Sequence, residues 1–465
     1  MDMKKVNLSK IIPFGVLLVI ACAALFVPSL PEFNVKGQYV PADMAWLLVA
    51  TALVFLMTPG LAFFYGGMVH RKNVLSTMIK SFVAAGVVSV LWITVGYSLA
   101  FGNSIGGIIG NPFTHLFFKG INSGQPWSLA PTIPLLLFAL FQLMFAIITP
   151  SLVVGAVAER TRFSSYILFI VLFSLFVYAP IAHWTWNPDG FLFKMGILDF
   201  AGGTVVHISA GCAALAGAIV LKRRKVHMEH KEIPPANIPY VLIGTGLLWF
   251  GWFGFNAGSA MAANHLAVSA FATTNTSAAA AGLAWMFFDV LRGKKPSVLG
   301  FCIGAVVGLV AITPASGFVA IPQSIFIGVV AAIISNIAVY YKSKSPLDDT
   351  LDVFPCHGIG GIVGMILTGI FATKTVNAGG NDGLFYGNPA FFFTQLKGLG
   401  IVVAYSFVSS YAIFKFINWV MPMRVSEEDE ELGLDATQHD EKYFQGTLLV
   451  KQNGTLHIEE NTIEL

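Results

Sequence analysis

Apolar runs of about twenty residues recur along this chain, separated by short polar junctions. A run of that length crosses the roughly 30 Å hydrocarbon layer of a bilayer as a helix, and in that layer every backbone N–H and C=O must be satisfied internally. The runs lie at 42–66, 74–101, 132–157, 163–182, 199–221, 238–257, 266–290, 297–313, 318–341, 352–372 and 395–418. The expected fold is an all-α polytopic membrane protein with eleven transmembrane helices. Composition agrees: 56% of the 465 residues are hydrophobic and 11% are charged, a balance that cannot cover the surface of a water-soluble domain. The net charge of +3 then says little about partners, and nothing in it calls for a nucleic acid. Cys22, Cys212, Cys302 and Cys356 lie in apolar runs without Cys-x-x-Cys spacing, so no metal site and no disulfide framework are expected.

The junctions set the orientation. HRKN (70–73), ERTR (159–162), KRRK (222–225), RGKK (292–295), YKSK (341–344) and Arg424 occupy every second junction, and those between carry few basic residues. Cytoplasmic loops collect Lys and Arg, so residue 42 is expected outside and the tail from about 423 inside the cell (inner or plasma) membrane. Earlier in the chain, Lys4, Lys5 and Lys10 precede or enter the apolar run IIPFGVLLVIACAALF, and Ala21-Cys22-Ala23 offers a small-residue cleavage pattern. A cleaved signal peptide and an extra, retained N-terminal helix both fit, and both deliver residue 42 to the outside. The expected organisation is an N-terminal segment with external linker at 1–40, a membrane domain at 41–422 and a cytoplasmic acidic tail at 423–465. The run from Glu427 to Glu431 reads as a solvated charge cluster, and Asn453-Gly454-Thr455 as a glycosylation acceptor without consequence inside the cell.

Five spans precede KRRKVHMEHK and five follow it before the last helix. An odd number of crossings per unit makes these two inverted five-helix repeats. Local echoes pair them: Ile148-Thr149-Pro150 with Ile312-Thr313-Pro314, and Asp199 before His207 with Asp352 before His357. In inverted-repeat transporters the substrate site lies near the midplane, where the units meet. At about 1.5 Å per residue, His207 lies about 12 Å along the helix from Asp199, close to half the hydrocarbon thickness. Asp199 reads as an N-cap that accepts orphan backbone N–H groups, with a secondary effect on the local potential. His357 is expected at the same depth from the other unit, so two imidazoles should face each other. Burial disfavours their charged forms, and a neutral pair shares one hydrogen bond, since each ring has one donor and one acceptor nitrogen. Such a pair lines a passage, ties two helices together or ligates a cofactor. Two His without a third ligand or a nearby Glu make an incomplete metal site.

Glycine is abundant, with 46 in the chain and clusters in FYGG (64–67), GWFGFNAG (251–258) and HGIGGIVG (357–364); small residues let helices approach closely. Near these clusters lie Phe145 in FQLMFA, Trp186 in HWTW and Phe255 in WFGFNAGSA, followed by Ser259. Aromatic faces attract cations, although an aromatic at a membrane interface is also a common anchor. The spans hold no Ser/His/Asp or metal-ligand constellation, so no enzyme is expected.

The segments AERTRFS, DFAGGTVVHISAG, WFGFNAGSA, DVFPCHGIGGIVG and RVSEEDEELGLD resemble the ammonium transporter family (Amt/Mep/Rh superfamily), in that family's order and spacing over roughly residues 42–443. The two His and the DFAGG form point to its ammonium branch. The resemblance implies a twin-histidine pore at His207 and His357 and a stacked phenylalanine gate at Phe145 and Phe255. It implies an outer ammonium-recruitment site at Trp186, Ser259 and Phe145, a structural aspartate at Asp199 and a pore-flanking Trp252. It also implies a homotrimer with one pore per subunit, and a PII-type signal protein as partner at the cytoplasmic face. One departure bears on that partner. Where many bacterial members have His-Gly before Glu, this chain reads His439-Asp440-Glu441, and it runs on to Leu465.

The implied substrate also makes physical sense. Ammonium and potassium ions are similar in size and charge, and a dry passage imposes a desolvation penalty on both, but only ammonium can shed its charge. Ammonium concentrated at the aromatic site would lose its proton near the gate and continue as ammonia past the imidazoles. Transport is electrogenic if the proton follows separately, and gas-like if it returns outside. Two rivals are a coupled symporter, for which no charged broken helix is seen, and a membrane sensor that binds ammonium and signals through its tail.

Overall fold

The computed structural model describes residues 8–27, 39–122, 124–231, 233–443, 448–452 and 455–459. Helices occupy all eleven expected spans, after an N-terminal helix α1 (Leu8–Ala24). The first unit comprises α2 (Pro41–Met68), α3 (Arg71–Phe101), α4 (Leu135–Val157), α5 (Phe163–Lys194, with a break after Trp186) and α6 (Gly203–Leu221). The second comprises α7 (Ile238–Ala257), α8 (His265–Leu291), α9 (Val298–Ile312), α10 (Ile321–Ser343) and α11 (Phe354–Phe371), and α12 (Pro389–Val420) follows. Among the described residues, nine of these helices are long and apolar enough to cross a bilayer. The other two are α8, diluted by Thr, Asn and Ser in its ATTNTS stretch, and α9, which is 15 residues long.

Local chemistry sets the helix starts. Asn237, Asn264, Ser297 and Asn388 each accept, on the side-chain oxygen, a backbone N–H three residues on, which relieves donors that have no partner in a first turn. Helix α12 begins at Pro389, earlier than the expected 395, because Asn388 caps it and Pro389 supplies the preset φ of a first helical residue.

Both units use the same neighbour pattern: α2 packs on α4 as α7 does on α9, α3 on α5 as α8 does on α10, and α4 on α6 as α9 does on α11. The units meet along α2 with α7 and α6 with α11. At the second contact a Cβ on Gly211 would lie 2.3 Å from the Gly358 backbone, so only glycine permits this approach.

The starts of α6 and α11 are built alike, and here the structure corrects the sequence reading. Asp199 accepts N–H from Gly202, Gly203, Thr204 and Val205. The matching carboxylate before α11 is Asp349, which accepts N–H from Val353 and Phe354, and not Asp352. Asp349 stands eight residues before His357, the same interval as Asp199 to His207. Asp352 occupies the place of Gly202: both have positive φ, 58° and 117°, and the Asp352 carboxylate pairs with Lys342 at 2.7 Å.

The six basic junctions gather at one end of the bundle. The His70 N–H donates to Glu159, Arg224 bridges Glu159 and Asp348, Arg292 bonds Asn336 and stacks on Tyr340, and Arg424 holds Glu430. The tail is part of this face. Lys72 Nζ donates to the carbonyls of Glu430 and Glu431, and Asp435 accepts N–H from Leu75 and Ser76 at the start of α3. The acidic run is therefore partly docked, and its Glu430 is buried. Asp440 adopts φ 55°, the left-handed conformation in which glycine is unstrained and aspartate is tolerated.

Helix α1 is present, with Lys4, Lys5 and most of the linker to α2 outside the described residues. Asn453 and Gly454 also lie outside them, between the antiparallel strands Leu448–Gln452 and Thr455–Glu459.

Candidate functional site

Three π-helical turns bring the candidate residues together: Gly203–Ile208 at the start of α6 carries His207, Phe354–Ile359 at the start of α11 carries His357, and Phe253–Ala257 at the end of α7 carries Phe255. Such a turn inserts an extra residue into the helical ladder and re-aims the side chains around it. The rings form a column from the end bearing Asp199 toward the middle of the bundle. Trp186 meets Phe145 edge to face at 5.7 Å between centroids, and Phe145 lies 4.2 Å from Phe255 at 35°. Phe255 stacks on His207 at 5.9 Å, His207 stacks on Trp252 at 5.3 Å, and His357 follows at 5.5 Å. Phe145 and Phe255 are buried, and their close approach leaves no opening between the two rings.

Below the two phenylalanines lies a narrow void lined by Leu61, Ile148, Val206, Leu248, Val306 and both histidines, among other residues. It is barely large enough to hold one water-sized molecule. Its wall is almost wholly apolar, and the imidazoles are the ionisable groups on it.

The hydrogen bonds around the histidines assign their tautomers. His207 Nδ1 and His357 Nδ1 are 3.5 Å apart, and His207 Nε2 is 3.3 Å from Thr313 Oγ1. The Thr313 hydroxyl donates to the Leu309 carbonyl at 2.7 Å and accepts the Trp252 indole N–H at 2.9 Å. With its one proton committed, it meets His207 Nε2 only as an acceptor, so that nitrogen carries the hydrogen. His207 Nδ1 then bears the lone pair, and His357 supplies the shared hydrogen from its own Nδ1. His357 Nε2 is left as a free acceptor. Thr313, unassigned in the sequence reading beyond its place in the Ile-Thr-Pro echo, thus sets the polarity of the pair.

The remaining candidates lie toward the end bearing Asp199. The Trp186 indole N–H donates to the Asp199 carbonyl at 3.1 Å, which fixes the ring over Phe145. The Asp199 carboxylate also binds the Thr204 hydroxyl, so it is consumed in holding the start of α6. Ser259 is half-buried and donates to the Phe255 carbonyl at 2.8 Å, which leaves the oxygen lone pairs of its hydroxyl for a donor from outside. It reaches the column through the Phe255 turn.

The comparisons with known proteins place this chain in a family. Residues 45–444 match the model of the Ammonium Transporter Family. The chain is similar to an ammonium transporter of Aquifex aeolicus, 50% identical over 407 residues that cover 86% of this chain and 93% of the relative. It is also similar to the crystal structure of Saccharomyces cerevisiae Mep2, at 36% identity and a TM-score of 0.79, covering 85% of this chain and 92% of that one. A solved sensor Amt protein matches at 29% identity with a TM-score of 0.78, over 86% and 98% of the two chains. With the family's model matched from the first transmembrane helix into the tail, this chain is a polytopic membrane protein that belongs to the ammonium transporter family.

Proposed function

We propose that the chain moves ammonium across the cell membrane by taking it up as the cation and conducting it as ammonia. Trp186 and Phe145 offer aromatic faces and Ser259 an oxygen acceptor, so the cation is held outside by cation–π attraction and a hydrogen bond. Passage between Phe145 and Phe255 strips its water, and in that dry setting the neutral base is the cheaper species to carry. Ammonia then meets the edges of the imidazole pair, which exchange hydrogen bonds with it along the void. Trp252 and Thr313 keep the rings in one orientation. The observation that carries this reading is the narrow apolar void, bounded by Phe255, on whose ring Phe145 lies, and walled by two histidines in hydrogen-bond register. The basic junction face is assigned to the cytoplasm by the excess of Lys and Arg there, which puts the tail inside. A homotrimeric assembly and a PII-type partner on that face complete the reading as expectations of the family.

Current recording from reconstituted protein under an ammonium jump, with potassium and methylammonium as comparators, tests the proposal. A current or net ammonia flux with potassium excluded is expected; a potassium current of similar size sinks it. A sensor is the second reading, favoured by the likeness to the sensor Amt protein and by a tail held at several junctions. Saturable ammonium binding without flux in the same preparation would replace transport by sensing.

A further inference from the structure

The N-terminal segment is the motif that transport leaves unused. Its first ten residues carry Lys4, Lys5 and Lys10, the next eleven (11–21) carry no charge, and the run closes on Leu18-Val19-Ile20-Ala21-Cys22. Among the described side chains of α1 none is buried; Phe14, Val16, Leu17, Leu18 and Val19 are all exposed. A helix kept as part of the bundle would bury one face. The thiols divide in the same way, with Cys22 free and exposed and Cys212, Cys302 and Cys356 buried. The sidedness is also right. Helix α2 starts at the end away from the basic junctions, so a segment that enters with its lysines inside delivers Cys22 to the outer surface.

We infer that Cys22 is a lipid-attachment site and becomes the N-terminus of the mature chain. A basic start, an uncharged apolar run, and aliphatic residues with one small residue directly before a cysteine form, as an ordered set, the pattern on which bacterial lipoprotein processing acts. In the first step the Cys22 sulfur attacks the glyceryl carbon that carries the phosphate of a phosphatidylglycerol. A C–S thioether bond forms, the C–O bond to phosphate breaks, and glycerol phosphate leaves with the thiol proton. Water then hydrolyses the Ala21–Cys22 amide, giving a carboxylate on Ala21 and a free amine on Cys22. Neither step needs an oxidant or reductant. Residues 23–40 reach at most about 60 Å when extended, enough to seat two acyl chains in the outer leaflet beside α2. Two chains hold a segment at the bilayer stably, where one does so only marginally.

The test is the N-terminal mass of the full chain purified from bacterial membranes, with labelled palmitate supplied during growth. Expected is a chain that begins at Cys22 and carries a diacylglyceryl thioether, with label lost in Cys22→Ser. An inhibitor of lipoprotein signal peptidase should leave residues 1–21 attached to labelled protein. An N-terminus at Ala24 without lipid, or an intact N-terminal segment with an unmodified Cys22, overturns the assignment. If Cys22→Ser does not accumulate, the mass of the parent protein decides alone. Ammonium currents per molecule should be unchanged in Cys22→Ser, which separates this assignment from the pore mechanism.

Discussion

At the scale of single residues, Thr313 is the most informative side chain, because one hydroxyl serves three partners at once: it donates to the Leu309 carbonyl and accepts from Trp252 and His207. Thr313→Val keeps the shape and removes both acceptor contacts, leaving two buried N–H donors unpaired at roughly 1–3 kcal/mol each. Ammonium flux should fall about tenfold or more, while Thr313→Ser should restore it; matched currents in the two variants would contradict the tautomer assignment. In the proposed mechanism Trp186 serves a different step, recruitment. Trp186→Leu forfeits a cation–π contact of roughly 0.5–2 kcal/mol, so the half-saturating ammonium concentration should rise about 2- to 30-fold with the maximal current nearly preserved. A concentration series of uptake checks this, and an unchanged midpoint removes Trp186 from recruitment. The histidines, phenylalanines, Trp186, Ser259 and Asp199 were legible as candidates from residue type and the family's motifs. Thr313 was not, because a threonine in an apolar helix looks the same in sequence whether its hydroxyl bonds its own helix or a neighbour's ring.

At the scale of elements, the two helix starts at Gly203 and Phe354 carry the same device, a carboxylate eight residues before the histidine and a positive-φ residue between them. Asp349 lies at the basic end of the bundle, and burial, opposed by Lys342 and reinforced by Asp352, pushes its carboxyl up to about 6. The folded chain therefore holds this proton more tightly than the unfolded one, whose carboxyl titrates near the ordinary value of about 4. The resulting stabilisation is complete below about pH 4 and is lost as pH rises through about 6. Asp349→Asn, which keeps an acceptor for Val353 or Phe354, should flatten the change in thermal stability between about pH 4 and 7; an unaltered profile would show that Asp349 titrates normally. The eight-residue interval was present in the sequence, but Asp352 stood nearer the apolar run and drew the pairing. Backbone direction decides which carboxylate faces the orphan N–H groups, and hydropathy does not record it.

At the scale of the whole molecule, distant junctions are joined by a few buried ions. Arg224 donates to Glu159 at 2.5 Å and to Asp348 at 2.8 Å, in surroundings that expose under a tenth of any of the three side chains. Burial works against the guanidinium charge, yet Glu159 and Asp348 outweigh it and raise the Arg224 pKa; the Asp348 carboxyl, pushed upward by burial, is held below the usual range by Arg224 and Arg160. Arg224→Ala takes the bridging guanidinium from two buried carboxylates, leaving the more distant Arg160 to Asp348 and the His70 N–H to Glu159, and should destabilise the protein by roughly 3–5 kcal/mol, readable as a lower thermal midpoint in detergent and earlier proteolysis of the tail. Little change would mean that water already screens the pair. The sequence by itself determined the membrane setting and the approximate helix positions, because length and apolarity are properties that neighbouring residues share along the chain. Only the tertiary structure decided that His207 and His357 approach Nδ1 to Nδ1, that Phe145 covers Phe255 and that the acidic tail docks on the basic junctions. Those contacts join residues far apart in sequence, and angstrom-scale choices of helix crossing and π-helical turn set them; no local preference encodes such choices.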